Sequence, residues 1–147
     1  LISYNYGNDQ RKRVKNFFKY GLIFNGIIAS LVIISIVLWP RKIVGIFNKD
    51  NVDLINLASS SLVKYFSATV FMGVNIIYAT YLQAKGHGKM ASFITVFRSF
   101  FLVIVGIVCF SKLIGLNGIW YSVLFAESLT FLGILVYNGK KVVLIRT

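Results

Sequence analysis

Four long apolar runs, joined by short polar segments, dominate the pattern of the sequence. The clearest run is Tyr20–Trp39, which contains no charged residue. The other three are Leu62–Ala84, Ala91–Phe110 and Gly118–Tyr137. An α-helix needs about 20 predominantly apolar residues to cross the hydrocarbon core of a bilayer, which is about 30 Å thick. The pattern therefore predicts an all-α integral membrane protein with four transmembrane helices.

Turn and capping residues separate these runs. Pro40 is expected to end the first transmembrane helix, and Gly86 and Gly88 supply the backbone freedom for a tight turn after the second. Asp9 is the predicted N-cap of the helix that leads into the first run. The predicted segments are a cytoplasmic basic lead-in (1–19), transmembrane helices (20–39, 57–84, 91–110 and 118–137), an outer interfacial loop (40–56), a cytoplasmic turn (85–90), an outer loop (111–117) and a cytoplasmic tail (138–147).

The composition agrees with a membrane protein. Of the 147 residues, 57% are hydrophobic and 14% are charged, whereas soluble domains average about 45–50% apolar and about 25% charged residues. The single cysteine, Cys109, excludes a disulfide within this sequence, and we expect it to be a small buried hydrophobe.

The formal net charge of +12 is distributed unequally between the two sides of the predicted membrane. Because basic residues concentrate in cytoplasmic loops, both ends of this segment are predicted to be cytoplasmic, in a multi-pass protein of the cell membrane surrounded by membrane lipid. Nucleic-acid binding is not predicted, because basic and aromatic residues are not interleaved on a soluble surface. The basic residues on the predicted cytoplasmic side are Arg11, Lys12, Arg13, Lys15, Lys19, Lys85, Lys89, Lys140, Lys141 and Arg146, against Arg41, Lys42, Lys49 and Lys112 in the opposite loops.

Two charged residues lie deep within the apolar runs. Arg98 lies in the third run and Glu127 in the fourth, and each would cost about 2.5–3.5 kcal/mol at the centre of an inserted helix. An α-helix rises about 1.5 Å per residue, so Arg98 lies about 10 Å and Glu127 about 15 Å from the cytoplasmic ends of their spans. A long arginine can close that gap, so we predict that the two side chains meet inside the bundle.

The predicted pair has two interpretations. It either neutralises two charges for structural reasons or takes part in coupling or in binding a charged substrate. Glu127 is the stronger functional candidate, because it is the only carboxylate in any of the four runs.

The second run is more polar than the others. Side chains of this kind at membrane depth face other helices or a water-filled cavity, so helix packing and a ligand pathway are both open interpretations. Lys64, close to the outer end of the run, is expected to extend to the interface. The polar residues of this run include Ser67, Thr69, Asn75, Thr80 and Gln83.

The sequence contains no combination of residues typical of catalysis. Ser-His-Asp, Cys-His and paired-carboxylate arrangements are missing, so neither an enzyme nor catalytic residues are predicted. His87, the one histidine, has no Cys, Asp or Glu close to it in the sequence. We therefore expect His87 to be a solvated loop residue and predict neither a metal site nor a bound cofactor.

Four short motifs occur in the order known from one transporter family. Together they resemble the second six-helix lobe of multidrug and toxic compound extrusion (MATE) transporters, beginning with the cytoplasmic segment before its third helix. The resemblance covers essentially the whole sequence and agrees with the charge-based topology. The motifs are Ile2-Ser3-Tyr4-Asn5-Tyr6-Gly7 followed by basic residues up to Lys19, Trp39-Pro40 with Ile46-Phe47 and Asp50, Gln83-Ala84-Lys85-Gly86 with Lys89 and Ala91, and Gly115-Leu116-Asn117-Gly118-Ile119-Trp120.

The resemblance implies the C-terminal part of a twelve-helix antiporter, whose partners are its own missing N-terminal helices. Such transporters export small cationic or amphipathic compounds in exchange for Na⁺ or H⁺. Their coupling carboxylates in this lobe lie on its first helix and on the helix that matches the second run, where this sequence has Asn75, Tyr65 and Tyr78 but no carboxylate. Coupling is therefore expected to involve Glu127, with Arg98 and these three residues as further candidates, or to depend on the other lobe.

Two alternatives remain at this point. A lipid-linked oligosaccharide flippase of the same superfamily would place Arg98 and Lys64 on the wall of its cavity, whereas a cation exporter would line the cavity with aromatic residues and Glu127. A non-transporting membrane scaffold would use the polar residues only for packing. Alternating access needs two lobes, so this segment alone is not expected to transport.

Overall fold

The computed structural model describes the backbone of residues 1–146 and the side chains of residues 1–138. Within that part of the chain, all regular secondary structure is helical. The helices are α1 (Ile2–Gly7), α2 (Arg11–Leu38), α3 (Pro40–Gly45), α4 (Val52–Phe66), α5 (Thr69–Ala84), α6 (Gly88–Val96), a π-helical segment (Phe97–Phe101), α7 (Leu102–Ile114) and α8 (Leu116–Arg146).

The helices provide three continuous candidate membrane spans and one bent span. The continuous spans are Arg11–Leu38, Gly88–Ile114 and Leu116–Asn138, each long and apolar enough to cross a bilayer. The helices α4 and α5 meet the same criteria only when they are taken together. The predicted all-α membrane fold is therefore confirmed. The side chains of the predicted cytoplasmic tail after residue 138 lie outside the described residues.

The second span differs from the single helix predicted at 57–84. Its first helix already begins at Val52, and the axes of α4 and α5 differ by 42° across a break at residues 67–68. At the break, the Ser67 hydroxyl donates to the carbonyl of Lys64 at 2.6 Å, and the Thr69 hydroxyl donates to that of Phe66 at 2.7 Å. Because such side chains compete with the backbone for carbonyl groups, they bend helices without proline.

The N-terminal lead-in also differs from the prediction. It consists of two helices, and the N-cap residue of α2 is Gln10 rather than Asp9. Asp9 has a left-handed backbone conformation, with φ of 55°, and its carboxylate accepts a hydrogen bond from Arg11 Nε at 2.6 Å. Its side chain is therefore engaged by a neighbouring charge and does not cap the helix. The side chain of Asn51 does cap α4, because it accepts from the backbone N–H of Leu54 at 2.9 Å.

Small residues allow α7 and α8 to approach each other closely. A Cβ atom added at Gly106 would lie 2.9 Å from Cβ of Ser122, and one added at Gly118 would lie 2.0 Å from the carbonyl oxygen of Phe110. Close backbone contact of this kind is typical of packed transmembrane helices. Cys109 on α7 is exposed, so the expectation that it is buried is wrong.

Candidate functional site: a buried ion pair between three spans

Three of the predicted site residues converge in the interior of the bundle. Arg98 comes from the π-helical segment, Glu127 from α8 and Asn75 from α5. Their exposed fractions are 7%, 4% and 0%. Arg98 Nη1 lies 2.5 Å from Glu127 Oε1. The predicted contact between the two charged residues is therefore confirmed.

Asn75 connects this ion pair to a third span. Its side-chain Nδ2 donates to the other carboxylate oxygen of Glu127 at 2.8 Å and to the backbone carbonyl of Glu127 at 2.9 Å. Glu127 thus accepts hydrogen bonds from two different spans with its two carboxylate oxygens. The amide of Asn75 holds α5 and α8 in one register, because a shift of either helix would break both bonds.

Two polar atoms of this cluster keep unused hydrogen-bonding capacity. Asn75 Oδ1 and Arg98 Nε are buried and find no hydrogen-bond partner among the described residues. A buried polar group without a partner costs about 1–3 kcal/mol, so a protein retains such groups mainly at sites where they serve a function or meet a further ligand. The cluster therefore has one acceptor and one donor available for a molecule or a side chain that the described residues do not supply.

Arg98 occupies an irregular turn of its helix. A π-helical turn contains one more residue than an α-helical turn, and such turns occur frequently at functional sites. On the exposed side of the same helix, Phe93, Phe97 and Phe101 form a stack with ring centroids 5.5 and 5.0 Å apart. The irregular turn thus combines a charged side chain in the interior with an aromatic surface outside.

The ion pair determines what the site can do chemically. A guanidinium and a carboxylate in contact form a neutral unit, which lowers the cost of keeping both groups away from water. A cation that binds Glu127 at Oε1 has to compete with Arg98 for that oxygen. The described residues contain no group of three His, Cys, Asp or Glu side chains that could hold a metal ion.

The two tyrosines among the predicted site residues lie in different places. Tyr78 is on α5, one turn after Asn75, and its hydroxyl donates to Asn138 Oδ1 of α8 at 2.9 Å. Tyr65 is on α4, where its ring lies 5.4 Å from that of Phe66. Tyr78 therefore extends the contact between α5 and α8, whereas Tyr65 belongs to the other half of the bent span.

Comparison with known proteins agrees with the resemblance in the sequence. The family model described as MatE matches residues 1–108. This chain belongs to the MatE family. It is 26% identical over 129 residues to "Multidrug export protein MepA" of Staphylococcus saprophyticus subsp. saprophyticus, covering 88% of this chain and 28% of that protein. It is 27% identical over 129 residues to proteins of the same name from two strains of Staphylococcus aureus, with the same coverage.

The MatE chain described here spans about 28% of the length of these curated relatives. No solved structure matches it significantly.

A groove of mixed polar and apolar lining between α5 and α6 reaches Arg98 of the ion pair in this MatE chain. It has a volume of about 380 Å³, and Arg98 is part of its wall. Ser92 and Thr95 on α6 line it together with Thr80 and Gln83 on α5. Ser92 and Thr95 are not among the residues predicted from the sequence. Their spacing of three residues, continued by Arg98, nevertheless places all three on one helix face.

Proposed function

We propose that this chain forms part of a secondary active antiporter that exports cationic or amphipathic compounds in exchange for Na⁺ or H⁺. The observation that carries the proposal is the buried cluster of Arg98, Glu127 and Asn75, which links three spans. Membership of the MatE family and the printed names of the relatives support export as the activity. The excess of basic residues on one side supports a cytoplasmic location for both ends of the segment in the cell membrane.

The geometry of Glu127 suits a coupling role. An ionisable side chain inside a membrane protein is costly and is retained mainly for ion pathways, proton relays or ligand binding. Here the carboxylate has one oxygen on Arg98 and the other on Asn75. In the proposed cycle a coupling cation replaces Arg98 at the first oxygen, and Arg98 returns when that ion leaves. Asn75 holds the carboxylate in position through both states.

The remainder of the transporter is an essential partner in this proposal. Alternating access requires two lobes that move against each other around a central site. The chain covers 28% of the length of its relatives, so the preceding helices supply the other lobe and the rest of this one. We expect no transport by residues 1–147 alone.

The contacts of the basic residues favour an exporter over an oligosaccharide flippase. A flippase needs free positive charge on its cavity wall for a pyrophosphate group, but Arg98 is neutralised by Glu127. Lys64 Nζ donates to Asn117 Oδ1, at the start of α8, at 2.7 Å. The charge of Arg98 is therefore neutralised, and the ammonium of Lys64 is held by a neutral amide at the start of α8.

Replacing Glu127 with Gln in the full-length protein tests the proposal. Glutamine keeps the shape and the hydrogen bonds to Asn75 but removes the negative charge. We expect export of a cationic dye from proteoliposomes to lose its dependence on an imposed proton or sodium gradient. Ser128→Ala is the matched control, since among the described residues the Ser128 hydroxyl bonds only to backbone carbonyls of its own helix. Unchanged ion dependence in Glu127→Gln would exclude Glu127 from coupling.

A double variant separates coupling from structural neutralisation. In Arg98→Gln/Glu127→Gln, the two neutral amides can still hydrogen-bond to each other. If the pair serves only to neutralise charge, the double variant exports with normal ion dependence, whereas a non-transporting scaffold would show no gradient-driven export in the wild type either. If Glu127 couples transport to ions, the double variant folds but its export does not respond to the gradient.

A further inference from the structure

A groove lined by both polar and apolar side chains lies between α1 and the start of α2, at the end of the first span. Its wall includes Tyr4 and Asn5 of α1 and Arg13, Asn16 and Tyr20 of α2, and its volume is about 330 Å³. Guanidinium, amide and phenol groups together offer several hydrogen-bond donors, as a phosphate group requires. The groove is thus suited to an anion at the depth where the first span enters the membrane.

Arg13 is available for such an anion. The neighbouring Arg11 is already engaged, because its Nε donates to Asp9 at 2.6 Å and its guanidinium lies 4.2 Å from the ring centroid of Tyr6. Among the side chains of residues 1–138, no acidic group lies within ion-pair distance of Arg13. The charge of Arg13 is therefore not neutralised by the part of the chain that the structure describes.

The charge around the groove favours an anionic lipid. Five basic residues lie within 11–19, directly before the apolar run. Clusters of basic residues next to a transmembrane helix attract anionic lipid headgroups at the membrane surface. The positively charged choline or ethanolamine of a zwitterionic lipid would be placed among these cations, so a lipid with net negative charge fits better.

An exposed apolar track continues from the groove along α2. Tyr20, Phe24, Ile27 and Leu31 follow each other at helical spacing on one face, with exposed fractions of 61%, 66%, 54% and 60%. From Tyr20 to Leu31 the helix rises about 16 Å, which is about half of the hydrocarbon thickness. Within the part of the transporter that the structure describes, the face therefore offers hydrogen-bond donors for a headgroup and an apolar track for acyl chains of one leaflet.

We propose that this surface, formed by Arg13, Asn16 and Tyr20 with the apolar track of α2, binds one anionic phospholipid. Arg13 pairs with the phosphate, Asn16 and Tyr20 donate further hydrogen bonds to it, and the acyl chains lie along Phe24 and Leu31. The continuity of the two parts selects a lipid over a soluble phosphate, which would use only the groove. This binding site is independent of the ion pair at Glu127.

Lipid exchange on the full-length protein tests the proposal. Wild type, Arg13→Gln and Lys12→Gln are loaded with equimolar phosphatidylglycerol and phosphatidylcholine, and the lipids retained per protein are counted by native mass spectrometry. Lys12 is exposed and is absent from the wall of the groove, so it provides a control with the same loss of charge. We expect Arg13→Gln to weaken phosphatidylglycerol binding about tenfold or more, the factor for losing a charged hydrogen bond at a defined site. Lys12→Gln removes only diffuse surface charge, so its loss should be clearly smaller, about fivefold or less.

Three results would overturn the proposal. Equal losses in the two variants would mean that only the diffuse charge of the segment attracts lipid. Retention in Arg13→Gln at the wild-type level would mean that the groove is not the site. Competition by soluble glycerol phosphate at the same concentration would mean that the acyl track contributes nothing. Should Arg13→Gln fail to fold, Asn16→Ala replaces it, and the rise in melting temperature on adding phosphatidylglycerol is compared with that of the wild type. Asn16→Ala should show a smaller rise. An equal rise would contradict the proposal.

Discussion

Replacing Arg98 with Met removes one half of the buried ion pair while keeping most of the apolar volume of its side chain. Glu127 then keeps its hydrogen bonds to Asn75 but loses the guanidinium 2.5 Å away. Removing one partner of a buried pair destabilises a protein by about 3–5 kcal/mol, because the other charge is left without compensation. Both side chains here are more than nine-tenths buried, so we expect a loss of about 3 kcal/mol or more in the free energy of unfolding.

A double-mutant cycle isolates the contribution of the contact itself. The single variants Arg98→Met and Glu127→Leu should each lose about 3 kcal/mol or more. The double variant Arg98→Met/Glu127→Leu should lose much less than the sum, because no buried charge remains and replacing a whole pair by apolar residues is often close to neutral. Equilibrium unfolding of the full-length protein in mixed micelles, driven by a denaturing detergent, provides the four free energies.

Additive losses would refute this reasoning. Single-variant effects below about 1 kcal/mol would also refute it, because pairs exposed to solvent contribute about that much or less. Either result would mean that the two side chains are hydrated in the complete transporter or do not remain in contact there.

Three further predictions concern other parts of the structure. Asn75→Leu should lower the free energy of unfolding by about 1–2 kcal/mol, because two hydrogen bonds within the membrane are lost at about 0.6 kcal/mol or more each; unchanged denaturation would contradict the register contact. Gly118→Ala should lower the free energy of unfolding by about 3 kcal/mol or more, because its Cβ would lie 2.0 Å from a backbone carbonyl oxygen of α7. Gly26→Ala is the control, since a Cβ there would meet nothing within 4 Å. It should change the free energy of unfolding by less than about 1 kcal/mol in the same assay. Hydrogen bonding by Arg11 lowers the pKa of Tyr6. Arg11→Gln should therefore raise that pKa towards its ordinary value, as measured by a ¹³C-tyrosine NMR titration. An unchanged pKa of Tyr6 would contradict the contact.

The sequence was sufficient to predict the fold class and the central contact of the site. Apolar runs of span length reveal transmembrane helices, because lipid leaves few other options for a backbone. The meeting of Arg98 and Glu127 followed from the cost of isolated charges at similar depths. Both inferences use strong, local energetic constraints that do not depend on exact packing.

The partners of Asn75 and the bend in the second span could not be predicted in the same way. The bonds from Asn75 to Glu127 depend on the register between α5 and α8, which a single sequence does not reveal. The bend depends on Ser67 and Thr69 bonding to carbonyls of their own helix, and such residues also occur in straight helices. Only the resemblance to the MATE family makes Tyr65 a candidate, and the bend places it on a different helix from Asn75.

The central claim is that Glu127 changes its bonding partner when the coupling ion is exchanged. Infrared difference spectroscopy on the full-length transporter in lipid, recorded as the pH or the sodium concentration is changed, observes the carboxyl group directly. The account predicts a carboxylate or carboxylic-acid band that shifts with the ion in wild type and is absent from Glu127→Gln. A difference spectrum that is the same in both proteins would contradict it.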